Sequence, residues 1–283
     1  MMKIAWYGKH FGEEPPLAGN KRQGACPVSR ENGFYGAGGV FFSGCNLRCV
    51  FCQNYQISQE GLFNREVTSQ ELAEIILDLE KQGSVNIDLV TPTIWFKQIK
   101  EALIIAKKNG LKIPIVWNSN GYESVEIIKE MTGLIDIYLP DFKYGIDKTG
   151  WKYSGIKKYP QIAKIAISEM YRQVGNLEIK DELAKKGLIV RHLVLPDNLE
   201  NSYRALDIVA GIDKNIYISL LNQYFPAFKA KEFSEINREV TEEEFEKAQD
   251  YALKLGFENG WIQTERSCET LLPDFKKANP FAQ

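Results

Sequence analysis

The chain has 283 residues, with 35 basic and 37 acidic side chains and a formal net charge of −2. This near-neutral balance argues against a broad nucleic-acid footprint, which normally needs an excess of lysine and arginine, and 12% aromatic residues argue against disorder. The N-terminus lacks the apolar stretch of a signal peptide, and no run approaches the roughly 18 apolar residues of a membrane span. We therefore expect a cytoplasmic protein whose thiols are reduced.

Short apolar runs alternate with helical patterns along the middle of the chain. The runs predict six strands, at residues 39–43, 87–90, 113–117, 135–139, 188–195 and 216–221. Thr68 and Glu71 form a capping box, and the apolar residues after them keep the spacing of one helical face. Similar patterns predict helices around residues 95–106, 125–131, 163–174 and 203–210. Strands that alternate with helices indicate a parallel sheet with right-handed crossovers.

The strand count and the tail composition predict how the chain is organised. Six strands fall short of the eight in a complete barrel, so the predicted fold is α/β, an open, partial barrel of parallel strands. The tail contains a charged amphipathic helix at 242–255 and a short strand at 261–263, and at under 60 residues it would be marginal alone. We expect an N-terminal extension, a core barrel and a C-terminal helical extension at residues 1–38, 39–224 and 225–283.

The segments that follow the predicted strands are polar and are marked by glycine or proline. They lie at residues 43–45, 91–93, 118–121, 140–143, 196–197 and 222–224. In a barrel or an open parallel sheet, chemistry takes place at the carboxyl ends of the strands. Ordinary loops would explain any one of these segments, but less easily all six.

Three of the five cysteines, Cys45, Cys49 and Cys52, have the spacing C-x3-C-x2-C directly after the first predicted strand. A structural zinc site needs four ligands, and neither histidine lies nearby, so Cys26 or Cys268 would have to complete it. A 4Fe–4S cluster is held by cysteine thiolates, and three of them leave one iron open to an exogenous ligand. The spacing favours the cluster and leaves zinc as an alternative. We expect the two isolated cysteines to be free buried thiols.

This cysteine motif, with Phe51 directly before its last cysteine, resembles that of radical S-adenosylmethionine (radical SAM) enzymes. Within that superfamily, seven segments resemble the pyruvate formate-lyase activating enzyme homologue family, an uncharacterised relative of the glycyl-radical activases. They are residues 10–16, 45–54, 86–93, 118–122, 138–144, 191–196 and 221–224. The resemblance covers residues 10 to about 226 and implies a partial (β/α)6 TIM-type barrel.

The resemblance also implies the chemistry and the cofactors. It implies an oxidoreductase of anaerobic chemistry in which Cys45, Cys49 and Cys52 ligate a 4Fe–4S cluster and S-adenosylmethionine binds the open iron. The reduced cluster then cleaves S-adenosylmethionine into methionine and a 5′-deoxyadenosyl radical that abstracts hydrogen, while the protein positions the reactants and excludes water. The implied partners are an electron donor such as flavodoxin or ferredoxin and a protein substrate. We expect a monomer.

The resemblance and the strand-end positions together nominate the cofactor-binding residues. They are Phe51, Asn54, Thr91, Thr93, Asn118, Ser119, Asp141, Lys143, Arg191 and Gln223. Thr91 and Thr93 stand where family members often have Gly-Gly-Glu, and their hydroxyls could accept from the cofactor ammonium or simply flank a strand stop. Asn118 and Ser119 resemble the Asp-Thr of the activases without its charge, so we predict ribose or substrate contacts or a simple Asn-Gly turn.

Charged residues near the later strand ends suit a buried polar site. Asp141 and Lys143 lie on one face of a strand, so they should pair with each other or with a ligand, such as the cofactor carboxylate. Arg191 and His192 face opposite ways; the forked guanidinium suits a carboxylate, and the histidine suits a satisfied core position. Tyr224, beside Gln223, is predicted to contact the ligand or to form a lid.

Two alternative functions stay open. One is radical chemistry on a small metabolite or a ribosomal peptide instead of a partner protein. The other, from a different class, is a zinc-stabilised binding protein without catalysis. Five basic residues near the cysteine loop form either a docking patch for an acidic electron donor or scattered solvated charge. They are Lys9, Lys21, Arg22, Arg30 and Arg48.

Overall fold

A computed structural model describes residues 1–19, 36–262 and 272–281. Its strands are β1 (Met2–His10), β2 (Ala37–Phe42), β3 (Arg65–Val67), β4 (Ile87–Val90), β5 (Ile115–Ser119), β6 (Ile137–Pro140), β7 (Glu178–Lys180), β8 (Leu183–Leu193), β9 (Tyr217–Leu221) and β10 (Gly260–Ile262). Its α-helices are α1 (Pro15–Ala18), α2 (Tyr55–Ser58), α3 (Ser69–Lys81), α4 (Phe96–Lys108), α5 (Val125–Glu130), α6 (Asp147–Ser154), α7 (Tyr159–Val174), α8 (Leu199–Ala210) and α9 (Glu242–Leu255).

The sheet is an open barrel. Its strand order is β10-β9-β8-β6-β5-β4-β2-β1-β3, and the six strands from β9 to β2 run parallel to one another. These are the six predicted strands. Strand β10 adds to one edge in parallel, whereas β1 and then β3 add to the other edge in antiparallel fashion. Among the described residues the two edge strands do not pair with each other, so the prediction of an α/β, partial barrel is confirmed.

Burial on both faces explains the apolar runs from which the strands were predicted. Every residue of β2, β4, β5 and β6 is buried, as expected for parallel strands whose two faces are both covered. Helices α3 and α4 place Leu72, Ile76, Ile99 and Leu103 against this sheet, all with no exposed surface. The capping box of Thr68 with Glu71 is present at the start of α3.

Several element boundaries differ from the predictions for local reasons. Strand β5 runs to Ser119 because two polar residues that looked like loop are buried strand positions. Strand β8 begins at Leu183 because residues 183–186 pair with β7 in a hairpin, although two of these residues are exposed lysines that break the apolar run. Helix α6 was not predicted, since Gly150 interrupts a polar sequence without apolar periodicity. Strand β1 was also missed.

The two terminal extensions contact the barrel. Strand β1 pairs with β2, and α9 begins at a second capping box, formed by Thr241 and Glu244. Residues 272–281 return to the start of the barrel, where Phe275 donates its backbone N–H to Gln56 (2.7 Å) and Phe281 packs on His10 with ring centroids 4.4 Å apart. The boundaries at 38 and 224 stay predictions. In the described parts of the chain, no helix has the length and apolar character that crossing a membrane requires.

Candidate functional site

One cavity of about 250 Å³ opens at the carboxyl ends of the parallel strands. All three motif cysteines line it, together with nine of the ten predicted cofactor-binding residues: Phe51, Asn54, Thr91, Asn118, Ser119, Asp141, Lys143, Arg191 and Gln223. The parallel topology brings these distant segments together, as the positions of the strand ends indicated. Their individual roles stay predictions.

The cysteine loop turns sharply out of β2 and is fastened to its neighbours. Gly44 has a φ of 93°, a left-handed conformation that glycine adopts without strain. Asn46 donates to the backbone carbonyl of Tyr122 (2.7 Å) and accepts from the Asn120 side chain (2.6 Å). The Trp95 indole donates to the carbonyl of Ser43 (2.9 Å). The loops after β4 and β5 therefore fix the first cysteine in place.

The three thiols are free and largely buried. Each has a hydrogen-bond partner at sulfur: Leu47 N–H and the Asn120 amide, both 3.4 Å from Cys45, the Ser154 hydroxyl 2.9 Å from Cys49, and the Ser58 hydroxyl 3.2 Å from Cys52. Burial raises the pKa of the Cys45 thiol, and burial together with the neighbouring Cys49 raises the pKa of Cys52 to about 12. Such thiols ionise only with a bound positive centre, so this donor set fits a metal group.

The described residues 1–19, 36–262 and 272–281 contain no three His, Cys, Asp or Glu side chains grouped as ligands of one metal ion. A mononuclear zinc site needs such convergence. In a 4Fe–4S cluster each thiolate binds a different iron, so the three sulfurs need not meet at one point.

A buried ion network forms the wall opposite the cysteines. Arg191 donates to Asp141 (3.2 Å), to Glu13 (3.1 Å) and to the Asn118 side-chain oxygen. Asp141 also accepts from Lys143 (2.7 Å), which confirms the predicted pairing on one face. Burial acts to raise the pKa of Asp141, but the charges of Lys143 and Arg191 outweigh it and hold that pKa below its usual value. The network places two cations at the cavity.

Three further acids around Arg191 were missed from the sequence. Burial raises the pKa of Asp88 well above its usual value and also raises that of Glu14. For Glu13 burial acts in the same direction, yet His10 and Arg191 lower its pKa to about 2. Asp88 is the single acid in the otherwise apolar strand β4, and this exception could have predicted a buried acid from the sequence. Burial therefore disfavours the charged forms of Asp88 and Glu14, whereas His10 and Arg191 favour the charged form of Glu13.

His192 and Tyr224 are structural residues. The His192 ring is 1% exposed, with Nδ1 2.6 Å from the carbonyl of Phe142, and burial lowers its pKa to about 4. The predicted core position of this histidine is thus confirmed, whereas its Nε2 has no hydrogen-bond partner among the described residues. The Tyr224 hydroxyl donates to the carbonyl of Ile236 (2.7 Å), and its ring packs on Phe51, 5.7 Å between centroids. Tyr224 is buried and held by these two contacts, so it is not a lid.

Thr91 and Thr93 occupy different environments. Thr91 lines the cavity with a φ of 60°, a strained conformation for a β-branched residue of the kind that clusters at functional sites. Thr93 lies outside that lining and donates its hydroxyl to Glu123 (2.9 Å). Glu123, which was not singled out from the sequence, also accepts from Trp117 (2.9 Å) and Ser119 (2.6 Å). This buried acid joins the ends of β4 and β5.

Replacing Glu123 by alanine should destabilise the protein substantially. The change leaves three buried donors, from Thr93, Trp117 and Ser119, without their acceptor, and each such orphan costs about 1–3 kcal/mol. We expect a total loss of about 3 kcal/mol or more in the free energy of urea unfolding. The control is Glu126→Ala, three residues away on the surface, which should change stability little. Equal stability of the two variants would contradict the assigned role of Glu123.

Several predicted residues lie outside the described residues. They are Cys26, Cys268, Lys21, Arg22 and Arg30. Arg48 is exposed beside the cysteine loop. The proposed docking patch for an electron donor therefore stays a prediction.

The segment around the cysteines is similar to known sequences. Residues 40–167, which include all three motif cysteines, match the family model described as Radical SAM superfamily. The chain is 37% identical to Uncharacterized protein MJ0674 of Methanocaldococcus jannaschii over 76% of its own length and 61% of that protein. It is 27% identical to a Pyruvate formate-lyase-activating enzyme of Clostridium pasteurianum over 62% of its own length and 69% of that protein. The match to MJ0674 thus spans less than two thirds of that protein.

Solved structures share the fold at low sequence identity. SuiB of Streptococcus suis bound to its precursor peptide SuiA has a TM-score of 0.52 at 13% identity, over 75% of this chain and 43% of that one. HydG, a maturase of the [FeFe]-hydrogenase, has a TM-score of 0.50 at 14% identity, over 76% and 47%. These similarities concern the open barrel alone.

Proposed function

Because residues 40–167 match the model of the radical SAM superfamily, we propose that the chain is a radical SAM oxidoreductase that modifies a partner protein or peptide, as a glycyl-radical activase does. The observation that carries the proposal is the meeting of Cys45, Cys49 and Cys52 with a buried cationic network in one cavity at the strand ends. In parallel α/β folds this edge is where substrates bind.

The residues present fit the two cofactors. Cys45, Cys49 and Cys52 would hold a 4Fe–4S cluster, and Thr91 and Lys143 line the space beside them in which S-adenosylmethionine would bind. When bound, this pair supplies a one-electron reductive cleavage that yields methionine and a 5′-deoxyadenosyl radical. The protein itself contributes charge, orientation and shelter from water.

Lys143 and Asp141 supply the charge for orienting a zwitterionic ligand. The Lys143 ammonium is held beside Asp141 (2.7 Å), and burial of its side chain strengthens its attraction for a carboxylate. Arg191 donates to three acceptors at once, so it holds Asp141 and the neighbouring side chains in fixed positions at the cavity. Leu47, Phe51, Val90, Leu193 and Leu221 add apolar surface around the cavity. Such surface excludes water from a reactive site.

Two relatives support a protein or peptide as the substrate. One relative, over 62% of this chain, is named for activating pyruvate formate-lyase, which is itself a protein. SuiB, with the same fold, is seen with a precursor peptide bound. For this chain the substrate class and the electron donor are parts of the proposal.

Anaerobic reconstitution with iron and sulfide tests the enzyme class. We expect broad absorbance near about 400 nm, as for Fe–S chemistry, and release of 5′-deoxyadenosine from S-adenosylmethionine only when dithionite is present. Stoichiometric zinc without this cleavage would instead establish the non-catalytic alternative. Transfer of deuterium into 5′-deoxyadenosine from a labelled peptide, but not from labelled small metabolites, would establish the substrate class.

A further inference from the structure

A chain of two buried hydrogen bonds leads from the barrel to the sulfur of Cys49. The Ser154 hydroxyl lies 2.9 Å from Cys49 Sγ and 2.6 Å from the hydroxyl of Tyr144. Tyr144 has no exposed surface, and Ser154 is 2% exposed. Neither residue belongs to the cysteine motif, and neither has a role in binding the cofactor as proposed above. Both lie behind the cysteine, away from the open cavity.

The direction of this chain follows from counting hydrogens. A serine hydroxyl has one hydrogen to donate, and a tyrosine hydroxyl is protonated at neutral pH. Since Ser154 uses its hydrogen for Cys49 Sγ, Tyr144 must be the donor to Ser154. A donor that is itself hydrogen-bonded in a buried setting is polarised and becomes a stronger donor.

The end of α6 is fixed to the cysteine loop at a second point. The backbone N–H of Val50 donates to the carbonyl of Tyr153 (2.9 Å), one residue from each partner of the sulfur contact. Helix α6 ends at Ser154, where Gly155 takes the left-handed cap conformation. The backbone therefore holds Ser154 beside Cys49, so that its short side chain reaches the sulfur.

The other two sulfurs have weaker partners. Cys45 accepts from Leu47 N–H and from the Asn120 amide at 3.4 Å each. Cys52 lies 3.2 Å from the Ser58 hydroxyl, with either atom able to donate. Among the described residues, Cys49 has the shortest hydrogen bond to sulfur of the three cysteines. Its donor, the Ser154 hydroxyl, is itself hydrogen-bonded to the Tyr144 hydroxyl. The three cysteines thus differ in the electron density that their sulfurs can give to a metal.

We propose that Tyr144 and Ser154 are positioning residues that raise the reduction potential of the iron–sulfur cluster through Cys49. This inference rests on the function proposed above. Hydrogen bonds to the sulfur ligands are among the factors that set the potential of such clusters, and partners behind a ligand tune the metal that it binds. A donor at the sulfur withdraws electron density and so stabilises the more negative, reduced form.

The test is an EPR-monitored redox titration of the reconstituted full chain. Ser154→Ala should shift the midpoint potential to more negative values, and Tyr144→Phe should shift it in the same direction by less. Ser202→Ala is the matched control, because Ser202 is equally buried but lies on α8, and its hydroxyl has no partner among the described residues. This control should keep the wild-type potential and iron content.

An unmoved midpoint potential in Ser154→Ala with full iron content would overturn the inference. If that variant fails to fold or to load, Tyr144→Phe decides, since it keeps the ring packing and removes only the phenol hydroxyl. A wild-type potential in Tyr144→Phe would then refute the chain of donors. A wild-type protein that binds no iron and sulfide would count against the proposed function itself, which is a distinct result.

Discussion

We expect Cys49→Ala to lose the Fe–S absorbance and to release 5′-deoxyadenosine only at background level. Cys49 is 7% exposed and sits between the other two thiols of the motif in sequence, so its loss leaves two ligands where a 4Fe–4S cluster needs at least three. Partners that merely orient a metal ligand are worth about 10–100-fold in affinity or activity, so loss of a ligand should cost on the order of 100-fold or more. Iron content, absorbance and nucleoside release measure the effect.

The control for this variant is alanine at Cys268, which lies outside the motif. A cluster held by the motif alone is unaffected by that change, so iron content and cleavage should match the wild type. Retention of both in Cys49→Ala would show that the ligand assignment is wrong. Loss of bound metal in Cys268→Ala would instead indicate a fourth protein ligand, as a structural zinc site requires.

Arg191→Ala should cause a large loss of stability. Its guanidinium is the shared partner of Glu13 and Asp141, its side chain is 16% exposed, and it lies among four acids. Removing one partner of a buried ion pair leaves uncompensated charge and costs about 3–5 kcal/mol. We expect that loss in the free energy of urea unfolding. Arg204→Ala, which removes an exposed pair with Glu200, should cost well under about 1 kcal/mol.

The pH dependence of stability provides an independent check on this network. In the folded protein His10 and Arg191 outweigh burial and lower the pKa of Glu13 to about 2, from an ordinary 4.5. The stabilisation from Glu13 is therefore complete above its unfolded pKa and is lost as the pH falls toward 2. Without Arg191 the folded pKa of Glu13 rises, so acid unfolding should begin at higher pH. If Arg191→Ala unfolded in acid at the same pH as the wild type, the pairing of Glu13 with Arg191 would be contradicted.

The sequence predicted the parts of the site that depend on local pattern. Apolar runs located the six parallel strands, and the parallel topology then placed Thr91, Asn118, Asp141 and Gln223 around the cysteines. Ser154 could not be predicted in this way, because it lies on a polar helix without periodicity and reaches Cys49 across 105 residues of sequence. Partners in tertiary structure leave no trace in local spacing.

Two missed acids illustrate the same limit. Glu123 follows an Asn-Gly turn and looks like a surface residue, yet it accepts three buried hydrogen bonds. Glu13 reaches Arg191 across 178 residues. A buried acid needs a partner, and this requirement can be anticipated from the sequence. Only the fold shows which cation or hydrogen-bond donor that partner is.

The packing of residues 272–281 has a consequence for the order in which the protein is made. Pro273 and Phe281 line the cysteine cavity, and Asp274 and Phe275 are joined to Gln56, just after the motif. These residues leave the ribosome after every strand of the barrel. During synthesis the cavity that contains the three thiols is therefore uncovered on this side until residues 272–281 pack against it. The part of the cavity wall that Pro273 and Phe281 form is therefore the last to be synthesised.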